Sequence, residues 1–122
     1  VDAAQTVDRM VDMFPPEQQQ QIRLQLSATL QAVVSETLLP LVDKKGRIAA
    51  FEILMCTAAV RNVIREGKPE QIYSIIQSGA KYGMKLLDQS LKELYLRGLV
   101  SYGDALAKAS NPQEFEESIS RA

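Results

Sequence analysis

Thr37-Leu38-Leu39-Pro40-Leu41-Val42-Asp43-Lys44-Lys45-Gly46-Arg47-Ile48-Ala49-Ala50-Phe51-Glu52-Ile53-Leu54-Met55-Cys56 is the stretch that decides the fold. Two apolar segments flank Asp43-Lys44-Lys45-Gly46, and turn residues between apolar runs predict a β-hairpin. Pro40 has no N–H to give a ladder, which makes the first strand an edge strand or an irregular one. The second segment, Ile48 to Met55, is almost continuously apolar, the pattern of a strand covered on both faces. An isolated hairpin is marginal in water. The strand therefore implies a sheet larger than these residues supply, and the chain reads as part of a longer protein. It also begins at Val1 and not at Met, as a part or a processed chain would.

Outward from the hairpin, helical periodicity takes over on both sides. Val7, Met10, Val11 and Phe14 recur at helical spacing over residues 2–14, and Pro15-Pro16 stops that helix. Pro16 suits the first position of a second helix, with Glu17 in its first turn, running to about Ser35. Ile22, Leu26, Leu30 and Val33 form its expected buried stripe, and the Gln18–Gln21 run its solvated face. Beyond the hairpin, Thr57 is an N-cap candidate for a helix ending at Gly67-Lys68-Pro69. Pro69 opens a helix that stops at Gly79. A longer helix is expected from about Ala80 to Arg97, with Met84, Leu87, Leu91 and Leu94 on one stripe and Gly98 closing it. Ser101 with Asp104, and Asn111-Pro112 with Glu114, mark two more starts. The reading is mainly α with one β-hairpin.

Composition removes much of enzymology. The 122 residues contain no His and a single Cys, Cys56. Serine or cysteine triads with histidine, His-ligated zinc and an internal disulfide are thereby excluded within them. Fourteen Lys and Arg against 15 Asp and Glu give a net charge of −1, which disfavours wholesale binding to nucleic acid or an anionic membrane. No apolar run approaches the length that spans a bilayer. The charge is uneven along the chain, however: residues 44–68 carry six basic and two acidic groups, while 1–43 sum to −4 and 69–122 to −1.

That basic excess points to Ala59-Val60-Arg61-Asn62-Val63-Ile64-Arg65-Glu66-Gly67-Lys68. On a helix Val60, Val63 and Ile64 gather on one side, with Arg61, Arg65 and Lys68 in a stripe beside them. No acid stands four residues from either Arg, and like charges at i,i+4 cost roughly 0.2–0.5 kcal/mol. An acidic partner elsewhere could offset that, while an ordinary solvated face is the alternative. Glu52 interrupts the apolar strand, and a buried carboxylate must be paired or protonated. It is expected to meet Arg47 or Arg61, or a cation from outside the chain. Cys56 reads as a small core residue. Gly98 and Gly103 have the spacing of a phosphate loop, but Asp104-Ala105 follows where Lys-Ser/Thr is needed. The four tyrosines lie on different helices, with no basic groove to form a base-stacking platform.

Several stretches together resemble one family. Ala4 to Pro16 (AQTVDRMVDMFPP), Gln18 to Leu30 (QQQQIRLQLSATL), Gly46 to Leu54 (GRIAAFEIL), Ala59 to Lys68 (AVRNVIREGK) and Gly79 to Met84 (GAKYGM) are similar to the PilT family of secretion ATPases, the type IV pilus retraction motors. The most specific element is that family's AIRNLIREGK motif. Here Val60 and Val63 replace Ile and Leu on the apolar stripe, and Arg61, Asn62, Arg65, Glu66 and Lys68 are kept. Glu36 and Leu41 stand where Gln and Arg are expected.

The resemblance implies a homo-hexameric, Mg-ATP-driven motor for twitching motility, cytoplasmic and peripheral at the bacterial inner membrane. It places residues 1–56 at the C-terminal end of a RecA-like α/β ATPase core and residues 57–122 in a small helical bundle. The nucleotide loop, the catalytic Glu and the His box lie upstream in the family, so ATP and Mg belong to the parent protein and not to these residues. What carries over is Arg61, Asn62, Arg65, Glu66 and Lys68 as a coupling motif, acting on a neighbouring subunit or on the inner-membrane platform of the pilus machine. No nucleic acid and no membrane insertion are expected. Alternatives are a pilus extension or type II secretion ATPase, or an independent helical adaptor that binds proteins through residues 58–68.

Overall fold

The computed structural model describes residues 2–121. Its elements run α1 (Ala3–Asp12), α2 (Pro16–Thr29), β1 (Ala32–Pro40), β2 (Arg47–Met55), α3 (Ala58–Glu66), α4 (Ile72–Gln77), α5 (Leu87–Leu96), α6 (Tyr102–Lys108) and α7 (Pro112–Arg121), with short 3-10 turns at Pro69–Gln71 and Ala80–Tyr82. The architecture is mainly helical around one antiparallel hairpin, in agreement with the sequence reading.

The hairpin register pairs Ala32 with Met55 and Pro40 with Arg47. Strand alternation puts Val33, Ser35, Thr37 and Leu39 on the inner face with Ile48, Ala50, Glu52 and Leu54. Leu39, Ala50 and Leu54 are fully buried there. The other face is apolar but open, with Val34 60% exposed and Leu38, Phe51 and Met55 each more than a third exposed. The two-sided coverage expected of β2 is thus met on one face among the described residues.

The edges of the hairpin differ as well. Ile53 of β2 exchanges both backbone bonds with Lys85, at 2.8 and 3.0 Å, and the Phe51 N–H donates to Ser90 Oγ at 3.1 Å. The backbone groups of the odd β2 residues therefore face away from β1, and those of Ile53 and the Phe51 N–H are occupied. By the same alternation, the N–H and C=O groups of Val34, Glu36 and Leu38 point off the far side of β1. Pro40 shares that outward register, so its missing N–H costs the β1–β2 ladder nothing.

Two sequence expectations are corrected. The second helix ends at Thr29 and not near Ser35. Leu30 turns to an extended conformation, and Val33 sits in β1 opposite Leu54. The β-branched pair Val33-Val34 gains more from strand pairing than from two further helical turns. The helix expected from Ala80 begins at Leu87 instead. Gly83 takes a left-handed φ of 83°, and the chain then runs extended so that Lys85 can pair with Ile53. Met84 consequently packs with the α3 and α4 side and not on the α5 stripe.

Two apolar cores result. The first gathers Ala3 and Val7 of α1, Val33 and Leu54 of the hairpin, Val60 and Ile64 of α3, and α4 residues, ending at Leu86. The second begins at Leu87 and joins Leu39 and Ala50 to α5, α6 and Phe115 of α7. Tyr95 and Tyr102 meet edge-on there at 5.6 Å, and Tyr102 lies 6.1 Å from Phe115. Both cores draw on the hairpin.

Candidate functional site

α3 carries the motif singled out by charge. Thr57 has the extended backbone of an N-cap, though its hydroxyl caps no amide. Gly67 ends the helix at φ 69°, with its N–H bonded to the Ile64 carbonyl and the Lys68 N–H to the Val63 carbonyl, both at 3.1 Å. That closing turn requires glycine. Val60, Val63 and Ile64 anchor the opposite side in the first core.

The basic side chains on this helix are not equivalent. Arg61 is half-buried, and its Nη1 donates to the Ser27 carbonyl at 2.9 Å. Ser27 lies in the last turn of α2, where carbonyls lack helical partners and the dipole favours a cation. Arg65 is exposed, and its Nη2 donates to Asn62 Oδ1 at 2.8 Å. Lys68 lies 3.4 Å from Glu66. The stripe expected to be unpaired is therefore internally satisfied: Arg61 holds α3 to α2, and the four exposed groups Asn62, Arg65, Glu66 and Lys68 form two local pairs.

Sequence reading missed Arg23. Its guanidinium lies where a Cβ on Gly67 would approach within 3.4 Å, and it faces Asp8 at 4.0 Å. Arg23 and Ser27 are four residues apart on one face of α2, the face that packs on α3. That spacing was the available signal, hidden beside the Gln run.

The basic excess of residues 44–68 also proves to be two clusters. Lys44, Lys45 and Arg47 sit at the hairpin tip, whereas Arg61, Arg65 and Lys68 follow its far end. Nine strand residues separate the two by about 30 Å.

The expected Glu52–Arg47 ion pair does not form. Residues 47 and 52 differ in parity along β2, so their side chains leave opposite faces of the strand. Glu52 is 3% exposed. Its Oε2 accepts the Ala3 N–H at 2.7 Å and its Oε1 the Leu87 N–H at 3.1 Å. Burial pushes this carboxyl above its ordinary range, partly opposed by the two amides and reinforced by Asp2 and Asp88. Arg61, the other expected partner, is engaged by Ser27. Burial also raises the Cys56 thiol, against the opposing field of Arg61.

Nothing among the described residues is built to cradle phosphate. The positive-φ glycines are Gly46 in the hairpin turn, Gly67 and Gly98 after helix ends, and Gly83 before an extended segment. None forms a strand-to-helix loop followed by Lys-Ser/Thr. No helix among these residues is long and apolar enough to cross a membrane.

Comparison with known proteins gives the context. No family model matches the chain. It is 48% identical over 113 residues to the type IV pilus retraction ATPase PilT of Pseudomonas aeruginosa, covering 93% of this chain and 33% of that protein. It is 46% identical over 111 residues to a twitching motility protein of Neisseria gonorrhoeae, covering 91% of this chain and 30% of the relative. The crystal structure of a pilus retraction motor, PilT with bound ADP, superposes with a TM-score of 0.82 at 39% identity, over 95% of this chain and 32% of the other. The chain thus spans about a third of the length of the relatives it matches, and over that third, their C-terminal region, it belongs to the PilT family of type IV pilus ATPases.

Proposed function

We propose that this chain forms the C-terminal region of a hexameric, ATP-driven motor that retracts type IV pili, and that α3 passes motion of the ATPase core to the rest of the machine. The observation that carries this reading is the 48% identity to PilT across 93% of the chain. ATP and Mg would be held by residues of the parent protein outside these 122. In this reading residues 1–56 complete a RecA-like core and residues 57–122 form the bundle behind it. The open β1 edge and the apolar outer face of the hairpin support its place in a larger sheet, because a sheet that continues through β1 would cover both.

Within α3, Arg61 is a positioning residue that holds the helix on α2. The exposed Asn62, Arg65, Glu66 and Lys68 are the coupling surface. Arg65 bonds the neutral Asn62 and Lys68 meets Glu66, both contacts exposed to water, where such contacts contribute little. A partner subunit or the inner-membrane platform of the pilus machine can therefore capture them at small cost. The protein would work in the cytoplasm, peripheral to the inner membrane.

The test is a double R65A/K68A substitution in the complete protein. Folding, hexamer formation and ATP hydrolysis should persist while twitching motility is lost. Retained motility, or loss of hydrolysis in step with motility, would overturn the coupling role.

A further inference from the structure

Of the two basic clusters, α3 accounts for one, and the hairpin tip has no role so far. Residues 38–47 and 96–99 hold Lys44, Lys45, Arg47 and Arg97 against a single acid, Asp43. The Val42 N–H donates to the Leu99 carbonyl at 3.0 Å, which joins the two stretches and sets Arg97 two residues from the contact. All four cations are exposed. The ion pairs among the described residues use Arg23, Lys68, Lys85 and Arg121 and none of these four. Four cations less one acid leave a local charge of +3 facing solvent.

Apolar side chains lie among them. Val42, beside Asp43, is 47% exposed, and Leu96, beside Arg97, is 57% exposed. The backbone that carries the cluster is held in place. The Leu41 N–H donates to the Gly46 carbonyl at 3.1 Å, and strand pairing runs out to Pro40 and Arg47. A partner therefore meets a tip that needs little further ordering on binding.

Composition decides which partner fits. Protein interfaces concentrate aromatic residues and deplete Lys, whereas these two stretches contain two Lys and no aromatic residue. Single-stranded nucleic acid is gripped by aromatic stacking as well as by cations, and it would leave Val42 and Leu96 in water. An anionic lipid surface answers both features. Its diffuse negative charge asks for no fixed geometry from the cations, and the acyl boundary beneath the headgroups takes aliphatic side chains.

We propose that the hairpin tip, together with the end of α5, is a docking point for an anionic phospholipid surface, holding the protein against a membrane without a spanning helix. The tip lies about 30 Å along the strands from α3, so lipid contact leaves the exposed groups of α3 free. Each Lys or Arg brought to such a surface strengthens binding about fivefold. In a ring of like-oriented subunits every tip lies on the same face, and the contacts reinforce one another. That reinforcement rests on the hexameric reading above, whereas the contact of a single tip does not.

The complete protein, sized by light scattering, is sedimented with vesicles of equimolar phosphatidylglycerol and phosphatidylcholine and with vesicles of phosphatidylcholine alone. Wild type should bind the anionic vesicles and not the neutral ones. Binding should weaken as salt shortens the Debye length from about 10 Å at 0.1 M to about 3 Å at 1 M. K44Q/K45Q/R97Q should lower the affinity about a hundredfold, while R65A/K68A, which removes two cations from α3, should bind like wild type. D43K should strengthen binding at least fivefold, a gain that misfolding cannot produce. No binding by wild type, equal binding to neutral vesicles, equal loss in the tip and α3 variants, or no gain in D43K overturns the proposal. So does a triple variant that keeps its vesicle binding but loses binding to polyglutamate, which would assign the tip to an acidic protein. Tip-dependent binding by a protein that is not hexameric sinks the hexameric reading and keeps the lipid contact; a hexamer that ignores anionic vesicles does the reverse.

Discussion

Arg61→Ala tests whether the charges of α3 do one job or two. The guanidinium of Arg61 donates to the Ser27 carbonyl at 2.9 Å, and Ser27 is only 4% exposed. Truncation removes a hydrogen bond from a charged donor, worth about 1.5–3 kcal/mol, and leaves a carbonyl in the last turn of α2 without a partner. Arg65 is exposed, and its contact with Asn62 lies in water, so Arg65→Ala should cost no more than about 0.5 kcal/mol. Urea denaturation of the two variants and the wild type measures both numbers. Arg61→Ala should lower the midpoint at unchanged slope, with Tm falling by roughly 6–12 °C for a loss near 2 kcal/mol. Arg61→Lys should recover part of the loss, because an ammonium can reach one carbonyl but lacks the planar fork. Equal stability of Arg61→Ala and wild type, or an equal loss for Arg65→Ala, would refute the assignment of Arg61 to positioning and Arg65 to the exposed surface.

Other outcomes follow from the packing. Gly79→Ala places a Cβ 2.7 Å from Met84 Sδ and 2.9 Å from the Ile75 carbonyl oxygen, an overpacking expected to cost about 1–3 kcal/mol; adding Met84→Ala should not restore stability, since the backbone oxygen stays in place. Phe115→Ala empties the centre of the second core and should cost about 3–5 kcal/mol, with amide exchange rising in α5–α7 before α1–α4. Gly67→Ala forces a side chain into the left-handed region, about 1–2 kcal/mol, while its Cβ meets Arg23 at an ordinary contact distance of 3.4 Å, so melting by circular dichroism should fall below that of wild type. The raised Cys56 thiol should react with iodoacetamide slowly at neutral pH, accelerating only above the ordinary thiol range; fast alkylation at pH 7 would contradict its burial.

The hairpin was legible because its signals are local. Asp43-Lys44-Lys45-Gly46 between apolar runs leaves few alternatives, and the helix ends marked by Pro15-Pro16, Gly67 and Gly98 are where sequence places them. The two misplaced boundaries share a cause. Helical periodicity runs on through residues 30–35 and 84–86, yet residues 32–35 pair with Glu52–Met55 and Lys85 with Ile53, strand partners distant in sequence. Local propensity amounts to tenths of a kcal/mol per residue and yields to such pairing.

The site was harder to read for a related reason. Charge spacing along α3 shows which cations lack acidic neighbours on their own helix, but it cannot show a carbonyl as a partner, because every residue carries one. Arg61 finds Ser27 O, and Glu52 finds two amides in place of the two arginines. In both places a charged side chain completes the end of a helix that belongs to another segment: the C-terminus of α2 for Arg61, the N-termini of α1 and α5 for Glu52. Helix ends leave four polar groups each without internal partners, so a small, helix-rich chain offers many such sockets for charge. An ion-pair search over the sequence passes them by, and the same counting explains why a buried glutamate can be satisfied with no arginine beside it.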